Sequence, residues 1–189
     1  VAQIISSGVL PAALEMMDHG IMGALHSAFN LQFPPEAKAL LLIECNAHGP
    51  DSNQQCQAEM AAVQAICQQN NAIQTEVAIN EQERAKLWVA RKKGIGAMGR
   101  LAPAIVTHDG VIPRSKLPEM LDFVYEVAAE QQLGVANLFH AGDGNLHPCF
   151  YFDDRIPGVV ERVVAAGEAI LHKCISLGGS LSGEHGIGF

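Results

Sequence analysis

Val135-Ala-Asn-Leu-Phe-His140-Ala-Gly-Asp-Gly-Asn145-Leu-His147-Pro-Cys-Phe-Tyr-Phe152 is the stretch on which the fold turns. Residues 135–139 and 148–152 carry the branched and aromatic side chains of strands. Gly142-Asp-Gly-Asn145 between them is a turn, because glycine and asparagine accept the positive φ that chain reversal needs. Strands joined by so short a turn pair antiparallel. On one straight strand, His140 and His147 would face opposite ways, since their separation is odd. The turn folds the second strand back beside the first, so both imidazoles can meet at one point.

Working outward, residues 11–30 read as a helix, with Leu14, Met17, Ile21, Met22, Leu25 and Phe29 at the helical period. Phe33-Pro-Pro35 ends it. The apolar run Ala39-Leu-Leu-Leu-Ile-Glu-Cys45 is a buried strand. Asp51 or Ser52 caps a helix to about residue 69, with Met60, Val63, Ala65, Ile66 and Cys67 turned inward. Residues 72–79 alternate as a strand does. Asn80 caps a further helix that frays at the glycines from Gly94. Residues 104–108 form another strand, closed by the turn signal Asp109-Gly110. Pro118 sits in the first turn of a helix to about residue 132. The last helix spans 156–177 and is capped by Gly178-Gly179. The order is helix, then β-α-β-α-β-α-β-β-α, which predicts one α+β domain: a ferredoxin-like sandwich with an antiparallel sheet and helices on one face.

Composition limits the function. The 189 residues are 49% apolar and 17% charged, enough for a substantial core and against disorder. A net charge of -8 with scattered Lys and Arg argues against nonspecific nucleic-acid binding. Five cysteines without a CxxC pair point to a reducing, cytoplasmic setting. No apolar run reaches the ~18 residues of a membrane span, and the start lacks the basic region of a secretory leader. The missing initiator Met and the ending at Phe189 are read as the cut ends of a longer protein.

His140, His147 and the later Gly183-Glu-His-Gly-Ile-Gly188 carry the chemistry. Two imidazoles and a carboxylate suit a borderline divalent cation such as zinc, iron or manganese, and three protein ligands leave a position open for catalysis. Glu184 is taken as the third ligand. The neighbouring His185 then faces elsewhere in extended backbone and is the candidate base, since imidazole exchanges protons near neutral pH. Asp143 and Asn145 are candidates to orient the ligands. Arg91, on the face of Trp88, is either a solvated charge or a clamp for a carboxylate. Arg114 is a weaker candidate for the same role. The other five histidines read as surface or packing residues. No P-loop, nucleophile elbow or dinucleotide-binding glycine motif is present in the sequence.

The pair His140-Ala-Gly-Asp-Gly-Asn-Leu-His-Pro148 and Gly178-Gly-Ser-Leu-Ser-Gly-Glu-His-Gly-Ile-Gly188 resembles the C-terminal half of the FAD-linked oxidases of D-2-hydroxy acids, the glycolate oxidase branch above all. Gly99-Arg-Leu-Ala-Pro103 and His108-Asp-Gly-Val-Ile-Pro-Arg114 extend the resemblance along the chain. It implies that residues 1–189 are the ferredoxin-like domain that caps the flavin, while a separate FAD-binding domain of the same protein holds most of the FAD. It implies His140, His147 and Glu184 as metal ligands, His185 as the base, and Arg91 as the residue that binds the substrate carboxylate. Hydroxyglutarate-specific relatives carry a lysine where Thr107 stands and an asparagine where Cys149 stands, which favours a smaller substrate, glycolate or D-lactate. An iron–sulfur partner subunit and peripheral attachment to the inner membrane are further implications. The fragment alone is expected to be inactive. Two rival readings are a non-catalytic interaction domain and a metal-dependent hydrolase in which His185 activates water. The intact set of His140, His147, Glu184 and His185 argues against a mere scaffold.

Overall fold

The computed structural model describes residues 1–186. A short helix, α1 (Ala2–Ser6), leads into β1 (Ala13–Asp18) and α2 (His19–Phe29). Then come β2 (Ala39–Glu44), α3 (Ser52–Gln69) and α4 (Glu81–Met98). Two strands, β3 (Ala104–Thr107) and β4 (Gly110–Val111), precede a 3-10 turn (Arg114–Lys116) and α5 (Leu117–Glu130). The hairpin region holds β5 (Gly134–His140), β6 (Asn145–Leu146) and β7 (Pro148–Phe152), and α6 (Val159–Ser176) follows. The sheet runs β2-β1-β5-β7-β3, and β6 and β4 join it beyond the end of β5. Every pairing is antiparallel. The α+β class and the antiparallel sheet agree with the reading of the sequence.

The layering differs from the expectation of helices on one face. Leu14, Phe139 and Phe150 pack with α5, α6, α1 and α3 in one apolar cluster. Met17, Ala136, Leu138 and Cys149 pack with α2 and α4 in another. Neighbouring strand residues point to opposite faces, so the two clusters lie on opposite sides of the sheet.

That double burial explains the main misreading, the single helix over 11–30. Leu14 and Met17 are three apart and look helical, yet both are buried because β1 is covered on both faces. The helix begins only at His19, where Asp18 in extended backbone accepts from the Ile21 N–H at 3.0 Å. The buried Asp18 carboxylate also takes the Asn137 backbone and side-chain N–H groups and the Tyr125 hydroxyl, which ties α2, β5 and α5 together. The strand expected over 72–79 is absent: the segment is irregular and Ile79 is 84% exposed, because no strand pairs with it and no apolar layer covers it. β2 is an edge strand with only Leu42 buried, not a fully buried one. Of the inward set predicted on α3, only Val63 is buried. Nor does α4 fray at Gly94. That glycine lets α4 approach the sheet, since a Cβ there would lie 2.3 Å from Leu138 Cδ1. Asp109-Gly110 is no simple turn, for Gly110 opens β4. Pro157-Gly158 delays α6 to Val159.

Candidate functional site

The hairpin closes at His140↔Asn145, the one pair linking β5 to β6. Gly144 in its turn has φ 74°, and a Cβ there would lie 2.1 Å from the Ile112 carbonyl oxygen. Only glycine meets both conditions. Arg114 braces the turn from outside, donating from Nη1 to the Gly142 carbonyl at 2.8 Å. His147 falls in the break between β6 and β7, buried, with its Nε2 turned to the same edge of the sheet as that of His140.

The third element arrives from the end of α6. Val111 and Ser180 exchange backbone hydrogen bonds of 3.0 and 2.9 Å, which docks the chain after α6 onto β4. The following loop, residues 182–186, curls around Asp109. One oxygen, Oδ2, accepts from the N–H groups of Gly183, Glu184 and His185 at 3.0, 2.9 and 2.7 Å and from the Ser182 hydroxyl at 2.8 Å. Burial pushes the Asp109 carboxyl up, but these four donors outweigh it and hold the group below the usual carboxylate range. Asp109 is therefore anionic.

This curl overturns one expectation. In extended backbone Glu184 and His185 would diverge; wound about a single oxygen, they converge. His185 Nε2 lies 3.5 Å from Glu184 Oε1, and its ring centroid is 4.9 Å from that of His147. Glu184 Oε1 also lies 3.3 Å from His140 Nε2 and 3.2 Å from His147 Nε2. Ligands held at ~2.1 Å around one tetrahedral cation are roughly 3.4 Å apart, and the two Glu184–imidazole distances match that spacing. Among the described residues, Asp109, His147, Glu184 and His185 each offer a ligand atom, all within 4.8 Å of one another; this group shares His147 and Glu184 with the expected set but takes in Asp109 and His185 rather than His140. Burial first, then the nearby His185, push the His147 imidazole below its ordinary value, against the pull of Asp109 and Glu184. A neutral imidazole is the ligand form.

Asp143 and Asn145 do not serve as expected. Asp143 is exposed, and among the described residues neither side chain hydrogen-bonds either histidine. Asn145 instead lies buried under Gly183, where a Cβ would sit 2.6 Å from its side chain. Two acids that the sequence reading missed contact the histidines. Asp109 Oδ1 is 3.3 Å from His147 Nε2, the nitrogen that also faces Glu184, so it stands among the candidate donors, while Glu15 Oε1 is 2.7 Å from His140 Nδ1, on the far side of that ring. The other Glu15 oxygen accepts from Arg91 Nε at 2.6 Å, so Arg91 stands beside the site with one nitrogen engaged. Asp109 was hidden by its reading as a turn residue, and Glu15 by the helix assigned to 11–30. The available signal was a lone carboxylate inside the apolar run Leu14-Glu-Met-Met17.

A cleft of about 400 Å³ opens on the cluster, lined by Val111, His140, Asp143, Asn145, Gly183 and Glu184. The motif residues Ile187 and Gly188 lie outside the described residues. Thr107 and Cys149 face each other across β3 and β7, with Oγ1 and Sγ 3.4 Å apart.

The model of the FAD linked oxidases, C-terminal domain, matches residues 1–189. The chain belongs to this family. It is 39% identical over 188 residues to the glycolate oxidase subunit GlcD of Escherichia coli K12, covering 100% of this chain and 37% of that protein. The GlcD of Bacillus subtilis is 35% identical, with 100% and 39% covered. A D-lactate dehydrogenase of Anaerostipes hadrus is 28% identical over 192 residues, with 100% and 40% covered. The chain thus spans about two fifths of the length of these relatives. Among the described residues no helix is long and apolar enough to cross a membrane.

Proposed function

We propose that this chain is the substrate- and metal-binding part of a flavin-dependent oxidoreductase that converts a small D-2-hydroxy acid, glycolate or D-lactate, to the 2-oxo acid. The observation that carries the reading is the meeting of His140 Nε2, His147 Nε2 and Glu184 Oε1 at 3.2–3.3 Å, with His185 and Arg91 beside them. Relatives named for glycolate oxidase and D-lactate dehydrogenase support the substrate class. Family membership favours neither the interaction-domain nor the hydrolase alternative.

His140, His147 and Glu184 would hold the cation, zinc, iron or manganese. A divalent cation supplies Lewis acidity toward the substrate hydroxyl, and a flavin supplies a two-electron acceptor. Arg91 uses its terminal nitrogens for the substrate carboxylate while Nε stays on Glu15. His185, 56% exposed beside the cleft, accepts the hydroxyl proton as the carbinol carbon gives up its hydrogen with two electrons. Asp109 keeps His185 in place through its backbone N–H. The FAD is assigned to an FAD-binding domain in the rest of the longer protein, so residues 1–189 alone turn nothing over. Following the resemblance, the whole protein is cytoplasmic, peripheral on the inner membrane, and works with an iron–sulfur subunit.

The test is an anaerobic titration of the full-length protein with glycolate and with D-lactate while its visible spectrum is recorded. Bleaching of a flavin band, lost in His185→Ala, is the expected result. A flavin that ignores every 2-hydroxy acid tried defeats the proposal.

A further inference from the structure

We propose that Glu15 is the positioning residue of this site: held by Arg91, its carboxylate fixes His140 in the tautomer that presents Nε2 to the cation. The proposal rests on reading His140, His147 and Glu184 as a metal centre.

Glu15 and His140 are directly opposed in the β1–β5 pairing, on the sheet face that α4 covers. Directly opposed side chains start about 5 Å apart at Cβ, so glutamate on one strand reaches imidazole on the other without backbone adjustment. The Glu15 side chain is only 8% exposed. A carboxylate taken out of water to that degree needs donors for both oxygens. It has one for each: His140 Nδ1 at 2.7 Å on Oε1 and Arg91 Nε at 2.6 Å on Oε2.

That geometry decides the tautomer. The Glu15 carboxylate accepts at Oε1, so in the neutral, ligating form of the imidazole Nδ1 carries the proton and Nε2 has the lone pair. The lone pair faces Glu184 Oε1 at 3.3 Å. Two electron-rich atoms at that distance repel unless a proton or a metal cation lies between them, and a bound metal takes the place of the proton. Carboxylate–imidazole pairing of this kind raises ligand basicity and locks ring orientation. Arg91 contributes the counter-charge that makes a buried glutamate tolerable. Among the described residues its two terminal nitrogens have no acceptor, so the same guanidinium remains available to a substrate carboxylate. One buried carboxylate therefore joins the metal ligand to the anion clamp.

An ordinary buried ion pair makes a different forecast. It would stabilise the fold without regard to His140. The experiment measures Co²⁺ affinity of the full-length protein by competition with a chromogenic chelator, in a double-mutant cycle. Glu15→Gln should raise the Co²⁺ Kd by about 10- to 100-fold. In a His140→Ala background it should change the Kd by less than about twofold, because the ligand it positions is gone. Glu15→Asp, which keeps the charge but withdraws it by one methylene, should fall between Gln and wild type, and it stands in if Glu15→Gln does not fold. Wild-type affinity in Glu15→Gln, or an equal loss with and without His140, overturns the proposal while leaving the metal centre intact. A wild-type protein that does not bind Co²⁺, or one in which His147→Ala leaves the affinity unchanged, removes the metal centre itself and Glu15's role with it.

Discussion

Replacing Asp109 with Asn isolates the device that builds the third side of the site. The side chain keeps its shape and an acceptor oxygen but loses its charge. In the native chain that oxygen takes three backbone N–H groups, of Gly183, Glu184 and His185, at 2.7–3.0 Å. A hydrogen bond to a charged acceptor contributes about 1 kcal/mol more than one to a neutral acceptor. Three such bonds give an upper figure of about 3 kcal/mol. The loop is half exposed, so water replaces part of the loss and about 2 kcal/mol remains, which is about 30-fold in a local opening equilibrium. Amide hydrogen exchange reads that opening directly. The amides of residues 183–185 should exchange about 30-fold faster in Asp109→Asn, while those of α5 and β5 keep their wild-type rates. Unchanged exchange at 183–185 would refute the idea that the loop is wound on Asp109. An equal acceleration throughout the chain would refute it too, since that marks loss of global stability.

Gly144→Ala should destabilise the chain by about 2–3 kcal/mol, from the positive φ and the 2.1 Å approach to Ile112, and lower the Tm by roughly 5–10 °C in a circular-dichroism melt; a shift below about 2 °C would show that the turn relaxes freely. His108 gives the pH prediction. Burial pushes its imidazole below the ordinary value of 6.5, and its Nε2 is buried without a partner among the described residues. Below that value the unfolded chain takes up a proton that the folded chain refuses, so stability falls as pH drops from 7.5 toward 5. His108→Leu should lose part of that fall, so the two Tm curves converge or cross on acidification; parallel curves would contradict it.

The local parts of this protein were legible in the sequence because local rules govern them. The His140–His147 turn follows from glycine and asparagine chemistry, and α4, α5 and α6 follow from caps, proline position and apolar spacing. Composition pointed to a substantial core and away from nucleic acid. The residue types of the motifs marked His140, His147, Glu184 and His185 as candidates before any distance was known. What the sequence obscured is what depends on cover from elsewhere. Whether Leu14 and Met17 belong to a helix or a strand turns on there being an apolar layer on each face of the sheet. Whether the alternating residues 72–79 form a strand turns on a partner that no other segment provides.

The identities of His140, His147, Glu184 and His185 as a chemical set were thus a property of the sequence. Their geometry belongs to the tertiary structure. Glu15 is 125 residues from His140, and Asp109 is 76 residues from His185. Neither separation has a local signature, because a hydrogen bond across a sheet or around a loop depends on register and docking. Strand register set Glu15 against His140, and the β4–Ser180 bridge carried the last loop to Asp109. A buried carboxylate must find donors wherever the fold places it, and that requirement, satisfied only after folding, put two unforeseen acids against the histidines.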